Sequence, residues 1–275
     1  MAESTSGVGG TWAESSAPEI RRLAERPGSI VVVPVGSVEQ HGDHLPVATD
    51  AILAGAVAGA AVERVEADVP VIATPVVAPG FSPHHLSFGG TLSLRRETLV
   101  RLLTDVAESA LDGGFDALLF VNGHRGNDSI VGSVVGSVGA ARPDVDVGAV
   151  TYFDLAAPFV DDVRRSDVGG MSHGGEFETS LMLHLRPSLV DESRFEVEYR
   201  REPHEHGVHD MFESGPLGRY RDFADLSSSG VVGDPSEASA ETGDSLFEGL
   251  TTELAAVLEE LHDVTTGTER PPSSD

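Results

Sequence analysis

Three times in the first half of the chain a largely apolar run ends in a loop that carries histidine, and each loop gives way to a helix pattern. Ile30 to Val33 passes Pro34 and Gly36 into a stretch holding Glu39, His41, His44 and Asp50. Val69 to Ala78 delivers Gly80-Phe81-Ser82-Pro83-His84-His85, and Asp116 to Val121 delivers Asn122-Gly123-His124-Arg125-Gly126-Asn127. Runs that are apolar throughout suit strands buried on both faces, and strands separated by helices pair in parallel. The repeat predicts an α/β chain, a three-layer α/β/α sandwich with a mostly parallel central sheet. Loops that follow the carboxyl ends of such strands share one edge, so these distant polar clusters can converge.

Helix patterns fill the intervals. Ser16 to Glu25 has Pro18 in its first turn and Ile20, Leu23 and Ala24 at helical spacing; Ala51 to Val65 is alanine-rich, and Asp50 stands where an N-cap would. Arg96 to Leu111 is amphipathic and stopped by Gly113 and Gly114, and a further helix is expected from Asp128 to Ala141 before a strand from Asp146 to Tyr152. Ser172-His173-Gly174-Gly175-Glu176-Phe177-Glu178 then opens another helix. Residues 190 to 230 are polar and carry His204, His206 and His209, a pattern more typical of solvated surface than of a metal site. Asp234-Pro235-Ser236-Glu237 reads as the start of a last helix, whose apolar stripe runs through Phe247, Leu250, Leu254, Val257 and Leu261. One domain over residues 11 to 264 is expected, with flexible tails at 1 to 10 and 265 to 275.

The donors themselves indicate metal chemistry. With no cysteine in the chain, a metal has to be held by His, Asp and Glu, oxygen and nitrogen donors that suit zinc, manganese or iron. No apolar run approaches the roughly 18 residues of a membrane span, and the N-terminus lacks the basic and apolar regions of a signal peptide, so a cytoplasmic protein is expected. The chain has 45 acidic residues and 18 basic ones, all arginine, for a formal charge of -27. Such a field opposes nucleic-acid and anionic-membrane binding. Carboxylates spread through folded segments, with lysine absent, fit a halophilic protein whose surface works in concentrated salt.

GSVEQHGDHLPVATD, HHLSFGGTLSL, FVNGHRGN, SHGGEFETS and GVVGDPSEAS, in this order, resemble the creatininase family of metal-dependent amidohydrolases over about residues 15 to 262. The resemblance implies an α/β sandwich, a dinuclear centre of zinc, manganese or iron, hydrolysis of a C-N amide bond, and a homo-oligomer, often a hexamer. Glu39 and His41 match ligands of the first motif, Asp50 the aspartate that bridges the two divalent ions, and His124 a further ligand. Creatininases proper carry a glutamate two residues beyond that histidine; Gly126 stands there, so Glu176 is carried over as the fifth ligand, with Glu178 competing. His173 matches a histidine beside the substrate, and His173 and Glu178 are the residues expected to move protons. His44 and Asn127 are expected to orient the ligands.

The motifs most resemble the family branch that trims the mycofactocin precursor peptide, although that branch has Glu-His where His84-His85 stands. A small cyclic amide or short peptide is thus the expected substrate. Creatinine is the alternative, disfavoured because no tryptophan beyond Trp12 exists to enclose it; a formamide deformylase of archaeal flavin and deazaflavin synthesis comes next, and a non-catalytic metal-binding subunit last.

The charge pattern makes a testable statement by itself. At 0.01 M salt the Debye length is roughly 30 Å, so the acidic surface repels itself unscreened. The thermal midpoint should rise between dilute buffer and molar KCl; an unchanged midpoint would mean that the acidic surface serves something other than salt.

Overall fold

A computed structural model describes residues 11–200 and 204–267. The expected tail at 1 to 10 lies outside those residues, as do positions 268 to 275 of the other. In chain order the principal elements are α1 (Ala17–Ala24), β1 (Ile30–Val35), α2 (Thr49–Arg64), β2 (Val71–Ala73), α3 (Arg96–Asp112), β3 (Ala117–Asn122), α4 (Asp128–Ala141), β4 (Asp146–Thr151), the short α5 (Val160–Val163), α6 (Glu176–Leu185) and α7 (Ala240–Thr266). The four strands pair in parallel in the order β2-β1-β3-β4.

Alternation along the strands explains why both faces need cover. Ile30 and Val32 of β1, Ala117, Leu119 and Val121 of β3 and Val71 of β2 bury into one core, shared with α2, α6 and α7. Val31, Val33 and Val35, Leu118, Phe120 and Ile72 point the other way, into a core shared with α1, α3 and α4. Successive side chains of a strand face opposite sides, so strands apolar at every position must be sandwiched. Each buried Leu, Ile or Phe contributes about 1.5 to 3 kcal/mol, and the three-layer sandwich expected from the sequence is the arrangement that collects it.

Topology fixes where ligands go. From β1 the chain crosses to β2 on one side, then returns over the sheet to β3 on the other side of β1. The loops that leave β1 and β3 therefore diverge and open a crevice at the carboxyl end of the sheet, the usual place for a ligand in such folds.

Some boundaries differ from expectation. The second strand has only Val71–Ala73 in its ladder, since Pro70 and Pro75 cannot donate. Beyond it Thr74 N–H still reaches Val32 O at 2.9 Å and Val77 N–H reaches Pro34 O at 2.9 Å, which keeps the chain beside β1. Ala48, not Asp50, is the N-cap of α2, and Asp50 lies in the first turn with its carboxylate free for other use. Asp234 caps only a short turn over Pro235–Glu237, its side chain accepting from Ser236 N–H; the chain then extends through Ala238, and α7 begins at Ala240 under Ser239, whose Oγ accepts from Thr242 N–H at 3.0 Å. That helix takes in Thr265 and Thr266, expected in the tail, before Gly267 turns it off at φ 70°.

Glycine sets the distance between β3 and α2. A methyl group placed on Gly123 would stand 2.8 Å from Ala54 Cβ and 2.9 Å from Asp50 O, and one on Gly36 would stand 2.5 Å from Ala51 Cα. Gly123→Ala should therefore push the first turn of α2 off the sheet at a cost of about 1 to 3 kcal/mol. Denaturant titration reads this as a lower midpoint; an unchanged midpoint would show that α2 can retreat freely.

Candidate metal centre

Five of the expected residues meet at one cavity, four on its floor and His41 buried just behind it. Glu39 and His41 come from the loop after β1, Asp50 from the first turn of α2, His124 from the exit of β3 and Glu178 from the first turn of α6. His41 Nε2 lies 3.0 Å from Asp50 Oδ1 and 3.7 Å from Glu178 Oε1. His124 Nδ1 lies 3.2 Å from both Glu39 Oε1 and Asp50 Oδ2. Asp50 thus offers one oxygen to each imidazole. Asn127 aligns the loops that carry these groups: its Oδ1 accepts from Phe81 N–H at 2.9 Å and its Nδ2 donates to Gly36 O at 3.0 Å, tying together the exits of β1, β2 and β3.

The far nitrogens of the imidazoles decide what the near ones can do. His41 Nδ1 is 3.0 Å from Glu39 O, and His124 Nε2 is 3.2 Å from Phe81 O. A carbonyl oxygen only accepts, so the proton sits on those nitrogens and each ring turns its other nitrogen, as an electron-pair donor, toward carboxylate oxygens. A lone pair facing a carboxylate requires positive charge between them. Burial works to push both imidazoles down, but Asp50 and Glu178 raise His41, and Glu39 and Asp50 raise His124, well above the ordinary histidine range. Burial likewise opposes the charge on Glu39, yet the neighbouring His124 holds its carboxyl well below the usual range. Protons alone leave the cluster incomplete, because the buried oxygens Glu39 Oε2 and Asp50 Oδ2 have no hydrogen-bond partner. Donors, charge and orphaned oxygens together fit a divalent cation.

Glu176 is not in this cluster, which corrects its assignment as fifth ligand. Its carboxylate accepts from Arg165 N–H (2.9 Å), Ser166 N–H (2.9 Å) and Ser166 Oγ (2.6 Å), and so pins the loop behind α6. Glu178, one helical position pair further on, turns inward instead, with Oε2 held by Gly174 N–H at 2.6 Å and Oε1 toward His41. At this spacing on a helix, neighbouring glutamates face different sides, which the motif alone does not resolve.

His173 sits beside the floor, its ring 4.2 Å from that of His41. Its Nε2 donates to Gln40 O at 2.6 Å, leaving Nδ1 3.7 Å from Glu39 Oε1. Burial, with His41 and His85 nearby, keeps it well below the ordinary histidine range and neutral. His44 Nε2 contacts Thr179 Oγ1 at 3.1 Å, and burial followed by His41 pushes it down to about 4.

His85 is the residue that sequence reasoning left out. Gln40 Oε1 accepts from Gly42 N–H at 2.9 Å, so Gln40 Nε2 donates to His85 Nδ1 at 2.8 Å, and His85 turns its remaining N–H toward Glu39 Oε1 at 3.3 Å. Burial drives it down to about 3, a neutral ring that steadies Glu39. Its place in a loop after a strand, like that of His41 and His124, was the available signal. His204 lines the outer cavity, while His206 and His209 bond only within their own loop; none belongs to a metal-capable group among the described residues.

Comparison with known proteins identifies the family. The creatininase family model, described as creatinine amidohydrolase, matches residues 13–258. The chain is 35% identical over 227 residues to the mycofactocin precursor peptide peptidase of Mycobacterium tuberculosis strain H37Rv, covering 80% of each. It is 32% identical over 181 residues to the creatinine amidohydrolase of Pseudomonas putida, covering 60% of this chain and 67% of that one. A manganese creatininase structure superimposes with a TM-score of 0.78 at 25% identity, covering 91% of this chain and 97% of that chain.

The two glutamates of α6 should separate cleanly by mutation. Glu178→Gln should lower bound metal, measured by mass spectrometry of the dialysed protein, and leave the fold intact. Glu176→Gln should keep its metal but lose about 1 to 3 kcal/mol of stability, because the buried amide donors of Arg165 and Ser166 lose a charged acceptor. The reverse pattern would restore Glu176 as the ligand.

Proposed function

The chain belongs to the creatininase family, and we propose that its metal-dependent site hydrolyses the amide bond of a short peptide, ahead of that of a small cyclic amide. It is a hydrolase acting on carbon-nitrogen bonds. The observation that carries the reading is the pair of imidazoles, His41 and His124, whose far N–H groups are fixed to backbone carbonyls while their lone pairs face buried carboxylates.

Glu39 and His124 would hold one divalent ion and His41 and Glu178 a second, with Asp50 shared between them; the donor set suits zinc, manganese or iron. When bound, such ions supply a water acidified toward neutrality and polarise the substrate carbonyl. The chain's own residues do the rest. His173, neutral and open at Nδ1, accepts a proton at that atom and returns it to the departing nitrogen, while its Nε2–H stays on Gln40 O and holds the ring in place. His85 and Gln40 keep Glu39 oriented. Glu178, expected to move protons, is given a ligand's part in this reading, because its Oε2 accepts from Gly174 N–H while its Oε1 faces His41.

The cavity favours a peptide over creatinine. Its volume is about 580 Å³, within the range that encloses drug-sized ligands, and its aromatic lining is Phe81, Phe153, Phe223 and Tyr220 without tryptophan. Trp12 is engaged elsewhere, against Phe115 in the core. Among the described residues no helix is long and apolar enough to cross a membrane. Homo-oligomeric assembly belongs to the same proposal and is supported by Leu86 and Leu92, 53% and 65% exposed beside the site loop.

Metal-loaded protein incubated with short peptides, creatinine and formamides, with products read by mass, should release peptide fragments; exclusive conversion of creatinine would reverse the ranking. His173→Ala should keep its metal and lower turnover by about 100- to 10000-fold. Loss of metal in that variant would make His173 a ligand.

A further inference from the structure

Above the donors on its floor, the cavity is lined by Arg125, Arg200, Arg219 and Arg221. In a chain with 18 basic residues against 45 acidic ones, that is a local reversal of charge. Two charged groups of this wall are already committed. Arg125 is paired with Asp154 at 2.7 Å and lies over the Phe153 ring at 4.5 Å. Asp210 accepts from Arg164 at 2.6 Å and from Gly169 N–H at 3.1 Å.

Arg200 differs. Its Nε is buried without a hydrogen-bond partner, and among the described residues no carboxylate pairs with it. Burial alone acts on its charge and disfavours it. Desolvating a guanidinium without a counter-anion is costly, and the described residues, rich in carboxylates as the chain is, supply none here. The planar fork of a guanidinium matches a carboxylate through two parallel N–H···O bonds.

We propose that Arg200 receives a carboxylate of the substrate, so that the amide hydrolysed belongs to a molecule with a free acid group, such as a peptide near its C-terminus or an N-acyl amino acid. This rests on the amidohydrolase reading of the cavity floor: the scissile amide lies over Glu39, Asp50 and His124 while the acid is held at the wall. Arg200 is then a specificity residue that touches a remote part of the substrate. Creatinine, which has no acid group, leaves Arg200 unmatched.

Binding and turnover test this separately. Calorimetric titration of the metal-loaded protein with 4-methylpentanoate and with the neutral isostere 4-methylpentan-1-ol should show the acid bound about tenfold to a hundredfold more tightly, the span of a charge-assisted hydrogen bond. Arg200→Gln should erase that preference with metal content unchanged, and Arg200→Lys should restore part of it. Equal binding of acid and alcohol by the wild type, or an unchanged preference in Arg200→Gln, which would place the acid on the metal, overturns the proposal. In turnover, peptides with a free C-terminus should be cleaved with a lower KM than their C-terminal amides, and the difference should vanish in Arg200→Gln. A wild type that cleaves no amide would count against the hydrolase reading, while the titration would still report on Arg200.

Discussion

Three buried carboxylates, Glu39, Asp50 and Glu178, share one cavity floor, and their mutual repulsion in a medium of low polarisability is the constraint that the surrounding structure answers. Each is held by something rigid. Gly174 N–H fixes Glu178, His85 faces Glu39, and Asp50 is anchored by its place in the first turn of a helix whose N-terminal end favours negative charge. The imidazoles are held the same way, since backbone carbonyls rather than mobile side chains choose their tautomers. Geometry set by main chain costs little to maintain, so the site stays arranged around positive charge.

The sheet supplies the rigid frame. Reversal of direction at β1 leaves a crevice where the β1 and β3 loops part, and Asn127 closes the loops of three strands around it. Gly36, Gly80 and Gly123 mark close approaches of the main chain: a methyl group on Gly80 would meet Gly36 O at 2.7 Å. These contacts explain why a site drawn from remote parts of the sequence needs small residues at the strand exits.

Most of this arrangement can be read from the sequence because its signals are local. Apolar strands, helix periodicity and histidine at strand exits gave the sandwich and the polar edge without coordinates, and the family resemblance singled out Glu39, His41, Asp50 and His124, which the fold brings together. What escaped was decided by contacts between distant parts. Glu176 and Glu178 are alike in the motif, and only the loop at Arg165 and Ser166 shows which of them is engaged. His85 looked like its neighbour His84 until Gln40 fixed its ring. The start of α7 was misplaced because Asp234-Pro235 has the chemistry of a helix cap and serves only a turn, with Ala238 extended behind it. Arg200 gave no sequence signal at all, since an arginine among charged neighbours becomes unusual only when its burial is seen.

The cavity has two authors in the chain. Its floor is set mainly by residues up to His124, locked to one another by Asn127 and backbone carbonyls, whereas much of its wall, Arg200 and residues between His204 and Leu226, belongs to irregular stretches with little secondary structure. Few bonds join the two. Phe223 packs its ring against His85 and His173 at centroid distances of 4.3 and 4.7 Å, and Ser87 Oγ donates to Asp222 Oδ1 at 2.7 Å. Such a division lets selection rewrite the wall, and with it the clientele of the enzyme, while the reaction itself is inherited untouched.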